Sequence, residues 1–354
     1  MIAYTPFFFT QWVNPLLRIG CFILVTIYFF LSAKYYSKRD ALLFGLVVLI
    51  CIIFYVRNTQ GLSGLRTAGN YALTMLFGWG LYRHLIANRA RANIFLGLYV
   101  KFFYLVSISS LLSLIYYLIL GELDLFGFSS DTRTHLVTPF GVLFKKSFGS
   151  ITLYRSFFYF DEPVYSAIFY AANIIIVAPL LKNKGVNFII VNIIGGLLSM
   201  SATFVVLLFA LYCWKVINSV SSFIFISLSI LFAAFLVYFS DVSFYTSLTD
   251  RLYRFEIFFT MMNRADILQW LFGYGVTHPT GFDKAFSSGL ALMVYETGIA
   301  GAAFITIALY GLNNKPLLFI FYMLSALVVD PIHIPLFWFL IVITSSKINQ
   351  RVSI

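Results

Sequence analysis

Eleven long apolar runs leave this chain almost no way to fold as a water-soluble globule. They lie at approximately 16–36, 40–56, 70–82, 94–120, 164–181, 186–199, 202–217, 222–239, 288–311, 316–330 and 334–346. A soluble domain carries about a quarter charged residues. Here 10% are charged and 61% are hydrophobic, too little polar surface to face water on all sides. The expectation is a polytopic membrane protein, and 354 residues allow roughly ten to twelve spans of about 20 residues each. A transmembrane barrel shows as short alternating segments, whereas these runs are long and continuously apolar, so the spans are expected to be helices. The fold expected is all-α, with about eleven membrane helices forming one integral domain over residues 1–354.

The basic residues set an orientation. Short cationic turns at Lys34/Lys38/Arg39, Arg83/Arg89/Arg91, Lys182/Lys184, Lys215, Lys315 and Lys347/Arg351 separate many of the runs. With all of them in the cytoplasm, eleven spans alternate without conflict, the N-terminus outside and the C-terminus inside, as the positive-inside rule favours. Two long polar segments, 121–163 and 240–287, then fall on the outer face. Connections of that length need a reason, so the chemistry is expected there. The run 186–199 is short and contains Gly195-Gly196; it reads as a tilted or broken hairpin with 202–217, turning at Ser199-Met-Ser201. No internal repeat is visible. Cys21, Cys51 and Cys213 lie inside apolar runs and read as packing residues, not as a disulfide or metal set. Met1 to Pro15 shows no basic stretch with a small-residue cleavage site, so no removable signal is expected.

The outer segments carry the candidate site. Arg155 precedes Glu162-Pro163 in the first; Arg251, Arg254, Arg264 and His278 lie in the second, with Gly273-Tyr-Gly275 between the last two. Arginine is permanently charged and grips phosphate through a planar fork, which suits a lipid-linked diphosphate; a single outer arginine can equally meet headgroups or acids such as Asp250 and Glu256. Arg251 and Arg254 share a face if helical. His278 offers an imidazole as general base, or is a loop histidine before a proline. His135 is a second outer histidine, His333 reads as a turn residue, and His84 belongs to the cytoplasmic side. Glu296 sits in the span after the second segment, where a carboxylate is costly and reads first as a structural partner of a cation or helix end. Glu162 before Pro163 reads as a helix cap. The Gly273/Gly275 pair is a tight turn or a weak phosphate-loop signal. No Walker loop, metal-spaced carboxylate pair, Cys/His cluster or GxSxG elbow is present, so no cofactor or metal is expected.

Three segments together resemble the O-antigen polymerase and ligase superfamily: Arg155-Ser-Phe-Phe-Tyr-Phe-Asp-Glu162-Pro163; Arg251/Arg254 followed by Leu271-Phe-Gly273-Tyr-Gly275; and Tyr295-Glu296-Thr-Gly298-Ile-Ala-Gly301. The likeness runs from about Gly121 to the end. It departs at Phe286-Ser287-Ser288, where the family often has His or Asn, and at Ala202, where it often has Arg. The resemblance implies a GT-C-like, metal-independent glycosyltransferase of the bacterial inner membrane with its active face outside the cytoplasm. A hydroxyl of a lipid-linked repeat unit would attack a growing glycan held on undecaprenyl diphosphate. Arg155 and Arg254 would clamp the diphosphate, Arg251 would support them, and His278 is the nearest substitute for the base. Glu162, Arg264 and Glu296 would stand behind them. The partners implied are lipid-linked glycans, the bilayer and a chain-length regulator protein, with no nucleic acid. The rival activities are O-antigen ligase and, from another class, a flippase for lipid-linked sugars; a transporter would show repeat symmetry and charges along a membrane path.

Overall fold

The computed structural model describes residues 15–32, 62–121, 135–148, 151–156, 158, 160, 163–181, 185–216, 253, 256–274, 289–312, 316–327 and 334–345. These are mostly helical. Among the described residues, two helices are long and apolar enough to cross a membrane, at Ala90–Leu120 and Pro163–Leu180. The apolar runs 40–56 and 222–239 lie outside the described residues. The chain divides into two compact units, one holding Phe9–Phe95 with Arg251–Ser353 and the other holding Leu96–Asp250.

In the first unit, α1 (Pro15–Leu31) packs on α2 (Leu62–Ile86), which also meets α9 (Pro335–Ile343). Glycines allow the close approach. A Cβ at Gly78 would collide with the Trp338 ring, and one at Gly80 would press on Phe30 and Phe29. Past the end of the apolar run 70–82, His84 is buried among Phe29, Tyr28 and Phe95. Its Nδ1 lies 2.5 Å from Ser32 Oγ and 3.4 Å from Arg91 Nη1. Arginine can only donate, so it favours an unprotonated nitrogen, and burial followed by the Arg91 charge holds the imidazole below its ordinary range. The unfolded chain therefore binds more protons than the folded one as pH falls through about 6.5. Stability is full above that pH and is lost below it. Thermal unfolding of the detergent-solubilised protein is expected to show a lower Tm at pH 5.5 than at pH 7.5, and His84→Asn should flatten that dependence.

In the second unit, α3 (Arg89–Leu120, the helix that leads into it) carries Tyr99, Ser107, Ser110 and Ser113 on its buried side. The next span begins as α4 (Pro163–Ala172), loosens to a π-helical turn at Asn173–Val177 and tightens to a 3-10 turn at Ala178–Leu180. Asn173 opens the π turn and joins three helical segments. Tyr99 OH donates to Asn173 Oδ1 at 2.8 Å, Asn173 Nδ2 to Asn192 Oδ1 at 2.8 Å, and Asn192 Nδ2 to the Phe188 carbonyl at 2.7 Å. A buried relay with each amide engaged is the kind of polar glue that ties apolar helices together. The expected turn is present between α5 (Gly185–Leu198) and α6 (Ala202–Val216), with Met200 at φ 44°, but the two helices pack mainly on the span at 163–180 and not along each other as a hairpin. The two glycines of α5 make close contacts. Gly195 faces Tyr170 and Ser107, and Gly196 faces the Phe204 ring, each closer than a Cβ would permit.

The all-helical expectation needs one correction. Part of the first polar segment is an antiparallel sheet of three strands, β1 (His135–Thr138), β2 (Gly141–Phe148) and β3 (Ile151–Ser156), in the order β1-β2-β3. Its first hairpin is fixed by Thr138, whose hydroxyl oxygen accepts from the Phe140 and Gly141 N–H groups. The face bearing Leu136, Leu143, Tyr154 and Ser156 lies on α3. Tyr154 packs on Tyr117 with ring centres 4.0 Å apart, Ser156 donates to the Ser110 carbonyl at 2.6 Å, and Thr138 donates to Ser113 Oγ at 3.0 Å.

Candidate functional site

Two of the singled-out motifs meet in the first unit. After a helical stretch at 256–263 the chain turns at Arg264 and forms α7 (Ile267–Phe272). Six residues make a marginal helix, and this one is held by its caps. Asp266 Oδ1 accepts from the Gln269 N–H at 2.6 Å while Gln269 Oε1 accepts from the Asp266 N–H at 2.8 Å, a reciprocal capping box. Gly273 ends the helix at φ 77°, its N–H donating to the Gln269 carbonyl. That turn docks on α8 (Gly289–Leu312), which is not a continuous helix. At Gly298 the backbone leaves helical geometry, with φ 68° and ψ −179°.

The two departures fit each other. A Cβ at Gly273 would strike the backbone of Glu296 and Gly298, and a Cβ at Gly298 would strike the backbone of Leu271 and Phe272. Only glycine permits such mutual main-chain contact with these torsions. Tyr274 completes the joint. Its N–H donates to the Tyr295 carbonyl at 2.7 Å, its ring stacks on Tyr295 at 4.8 Å between centres and 14° between planes, and its hydroxyl donates to the Met261 carbonyl at 2.9 Å. Burial, with the Asp266 charge added, pushes the Tyr274 phenol above its ordinary value, so it stays a donor at neutral pH. Ile257, Ala291 and Tyr295 form the apolar floor beneath the joint. Glu296, on the turn before the break, is half-buried, and Arg264 is exposed at the other end of the joint.

The second unit holds Arg155 on β3. The register aligns His135, Phe144 and Arg155 in one cross-strand row. Alternation puts the Phe144 and Arg155 side chains on the side of the sheet away from α3. Val137 and Val142 on the same side are buried, so the side is covered rather than open to water. Arg155 is half-buried, and its buried Nε has no hydrogen-bond partner. Burial lowers its pKa from the ordinary value, yet an arginine in this state remains a cation at neutral pH. A partly desolvated cation with an unused donor is a strong receiver for an anion. On the other side, Lys145 Nζ lies 5.9 Å from the centre of the Tyr154 ring.

Of the residues expected to act, Arg155, Arg264 and Glu296 are placed by the structure. Arg251, Arg254, His278 and Glu162 lie outside the described residues, as does Gly275. Sequence reasoning missed Tyr274, Gln269 and Asp266 as builders of the joint. Their one signal was an acid three residues before a glutamine, at the head of an apolar run. No protein-family model, curated protein or solved structure matches the chain.

Proposed function

We propose that this chain is a polymerase of lipid-linked oligosaccharide repeat units. It would be a metal-independent glycosyltransferase with about eleven spans in a bacterial inner membrane, acting on the outer face. In this reading the growing glycan on undecaprenyl diphosphate is the donor. A hydroxyl of the incoming lipid-linked unit attacks the anomeric carbon, the bond to the diphosphate oxygen breaks, and the hydroxyl proton passes to a base. His278 is assigned that base. Arg155, Arg251 and Arg254 hold the departing diphosphate, whose charge must be met by fixed cations when no metal does so. Glu162, Arg264 and Glu296 position them.

The observation that carries the reading is the glycine joint. Leu271 to Gly273 and Tyr295 to Gly298 come from two of the three segments that prompted the resemblance, and they interlock backbone to backbone. A broken membrane helix braced by a polar loop is a construction that membrane proteins use where a substrate is handled at depth. The unpartnered Arg155 Nε supports the same reading from the other polar segment.

Deleting the gene in its host and sizing the surface polysaccharide tests it. Collapse of the ladder to core plus a single repeat unit is the expected result. Loss of all attached polymer while long chains build up on the lipid carrier would mean a ligase. Single units trapped on the cytoplasmic face would mean a flippase.

A further inference from the structure

Three hydroxyls converge inside the second unit without bonding to it. Ser107 and Ser110 are three residues apart on α3 and share its buried face. Tyr170 comes to them from α4, with its phenol beside both serine side chains. Gly195 of α5 closes a third side: a Cβ there would stand 2.5 Å from Tyr170 Cζ and 2.8 Å from Ser107 Oγ. Phe103 sets its ring edge-on to that of Tyr170, with centres 6.2 Å apart. Ser107, Ser110 and Tyr170 are sealed from solvent, at 2%, 0% and 0% exposed. None of their hydroxyl oxygens meets a protein group at hydrogen-bond geometry.

The polar groups on either side are bonded. Toward the sheet, Ser113 Oγ accepts from Thr138 and donates to the Ser109 carbonyl, and the Ser110 carbonyl accepts from Ser156. Away from it, Tyr99, Asn173 and Asn192 form the amide relay. The three hydroxyls therefore interrupt a bonded polar column that follows α3 from Ser113 to Tyr99, a rise of about 21 Å. A lone hydroxyl in an apolar interior costs free energy, whereas a buried water takes roughly three polar partners, the number that converge here. The chemistry of the set selects water over a metal ion. Hard cations take six or more oxygens, usually with carboxylates among them, and this cluster offers three neutral hydroxyls.

We propose that Ser107, Ser110 and Tyr170 hold a buried water that ties α3 to α4 one turn before α4 loosens into its π turn at Asn173. It braces the span where the helix's own ladder changes pitch. The inference does not depend on the glycosyltransferase reading.

Radiolytic footprinting of the full chain in lipid nanodiscs tests it. X-rays make hydroxyl radicals from water in place, so an enclosed side chain is oxidised only where a water is bound against it. The expected result is oxidation of Tyr170 in the unaltered protein, with no oxidation of Phe103 or of Tyr322, which are as enclosed and whose surroundings offer no such cluster; the Tyr322 hydroxyl donates to Met293 Sδ. Ser107→Ala/Ser110→Ala should lose most of the Tyr170 label. Tyr170→Phe should lower Tm by about 2 °C, because the bound water loses a partner. A hydroxyl with no partner at all behaves in the opposite way, since its removal takes away a desolvation cost. A raised Tm in Tyr170→Phe would therefore overturn the proposal. So would a Tyr170 as unlabelled as Phe103 in the unaltered protein, a result that needs no variant to fold and would mean that the serines turn back onto carbonyls of their own helix. A Tyr170 label that persists in the double serine variant would take the serines out of the site and end the idea as well.

Discussion

Replacing Arg155 by methionine is expected to stop polymer growth while leaving the protein as stable as before, or more so. The reasoning has two halves. The guanidinium is half-buried, burial lowers its pKa, and its Nε is enclosed without a hydrogen-bond partner. A buried cation in that state costs folding free energy, and an apolar side chain of similar length removes the cost. A residue kept for stability would behave in the opposite way. If Arg155 receives the diphosphate, its loss removes charge stabilisation where it develops during transfer, an effect of about a hundredfold in rate. Arg155→Lys should recover only part of this, since an ammonium cannot present two parallel donors to a phosphate. Chain length on gels and Tm in detergent, measured on the same preparations, check it. A lower Tm with a full-length ladder would return Arg155 to a structural role and remove it from the proposed site.

The second large effect is expected at Gly298. Gly298→Ala should destabilise the first unit by several kcal/mol, about 1–3 of them from backbone strain at φ 68° and the rest from collision of the new methyl with the main chain of Leu271 and Phe272. No side-chain rotation relieves a clash with backbone. The loop carrying α7 should detach first, because its docking rests on this contact and on the Tyr274 to Tyr295 hydrogen bond. Limited proteolysis should therefore cut between Asp266 and Tyr274 in Gly298→Ala well before the intact protein is cut. Gly273→Ala should give the same pattern from the other side of the joint. Gly97→Ala is the control: nothing lies within 4 Å of its Cβ position in α3, and an alanine there should add roughly 0.5–1 kcal/mol. Equal protease resistance in Gly298→Ala and the intact chain would mean that the glycine joint does not hold the loop.

Much of the helical framework could be read from hydropathy alone. Among the described residues two helices are long enough to cross a membrane; the run 94–120 falls within one and the run 164–181 overlaps all but the last residue with the other, and the turn at Ser199-Met-Ser201 lies where the short run 186–199 ends. The sheet was not read, although its signals were present. Gly149-Ser150 separates two runs rich in β-forming residues, which is a hairpin signature, and Leu136/Thr138 with Leu143/Lys145 show the period of two. The charge of the segment masks those signals, because a polar stretch between apolar runs has the composition of a loop.

What the sequence determined by itself is the class of solvent this chain requires, because burial of apolar surface is a sum over residues and needs no knowledge of neighbours. It also located the polar segments, since charges are excluded from hydrocarbon wherever they occur. The tertiary structure alone decided the joint between Gly273 and Gly298. Each is an ordinary glycine in its own segment. Only their mutual approach turns one into a helix end and the other into a helix break, with Tyr274 filling the carbonyl of Tyr295. The same holds for Arg155. Its charge is plain from the sequence, but its enclosure without a hydrogen-bond partner at Nε depends on which side of a sheet it takes, and that is set by register.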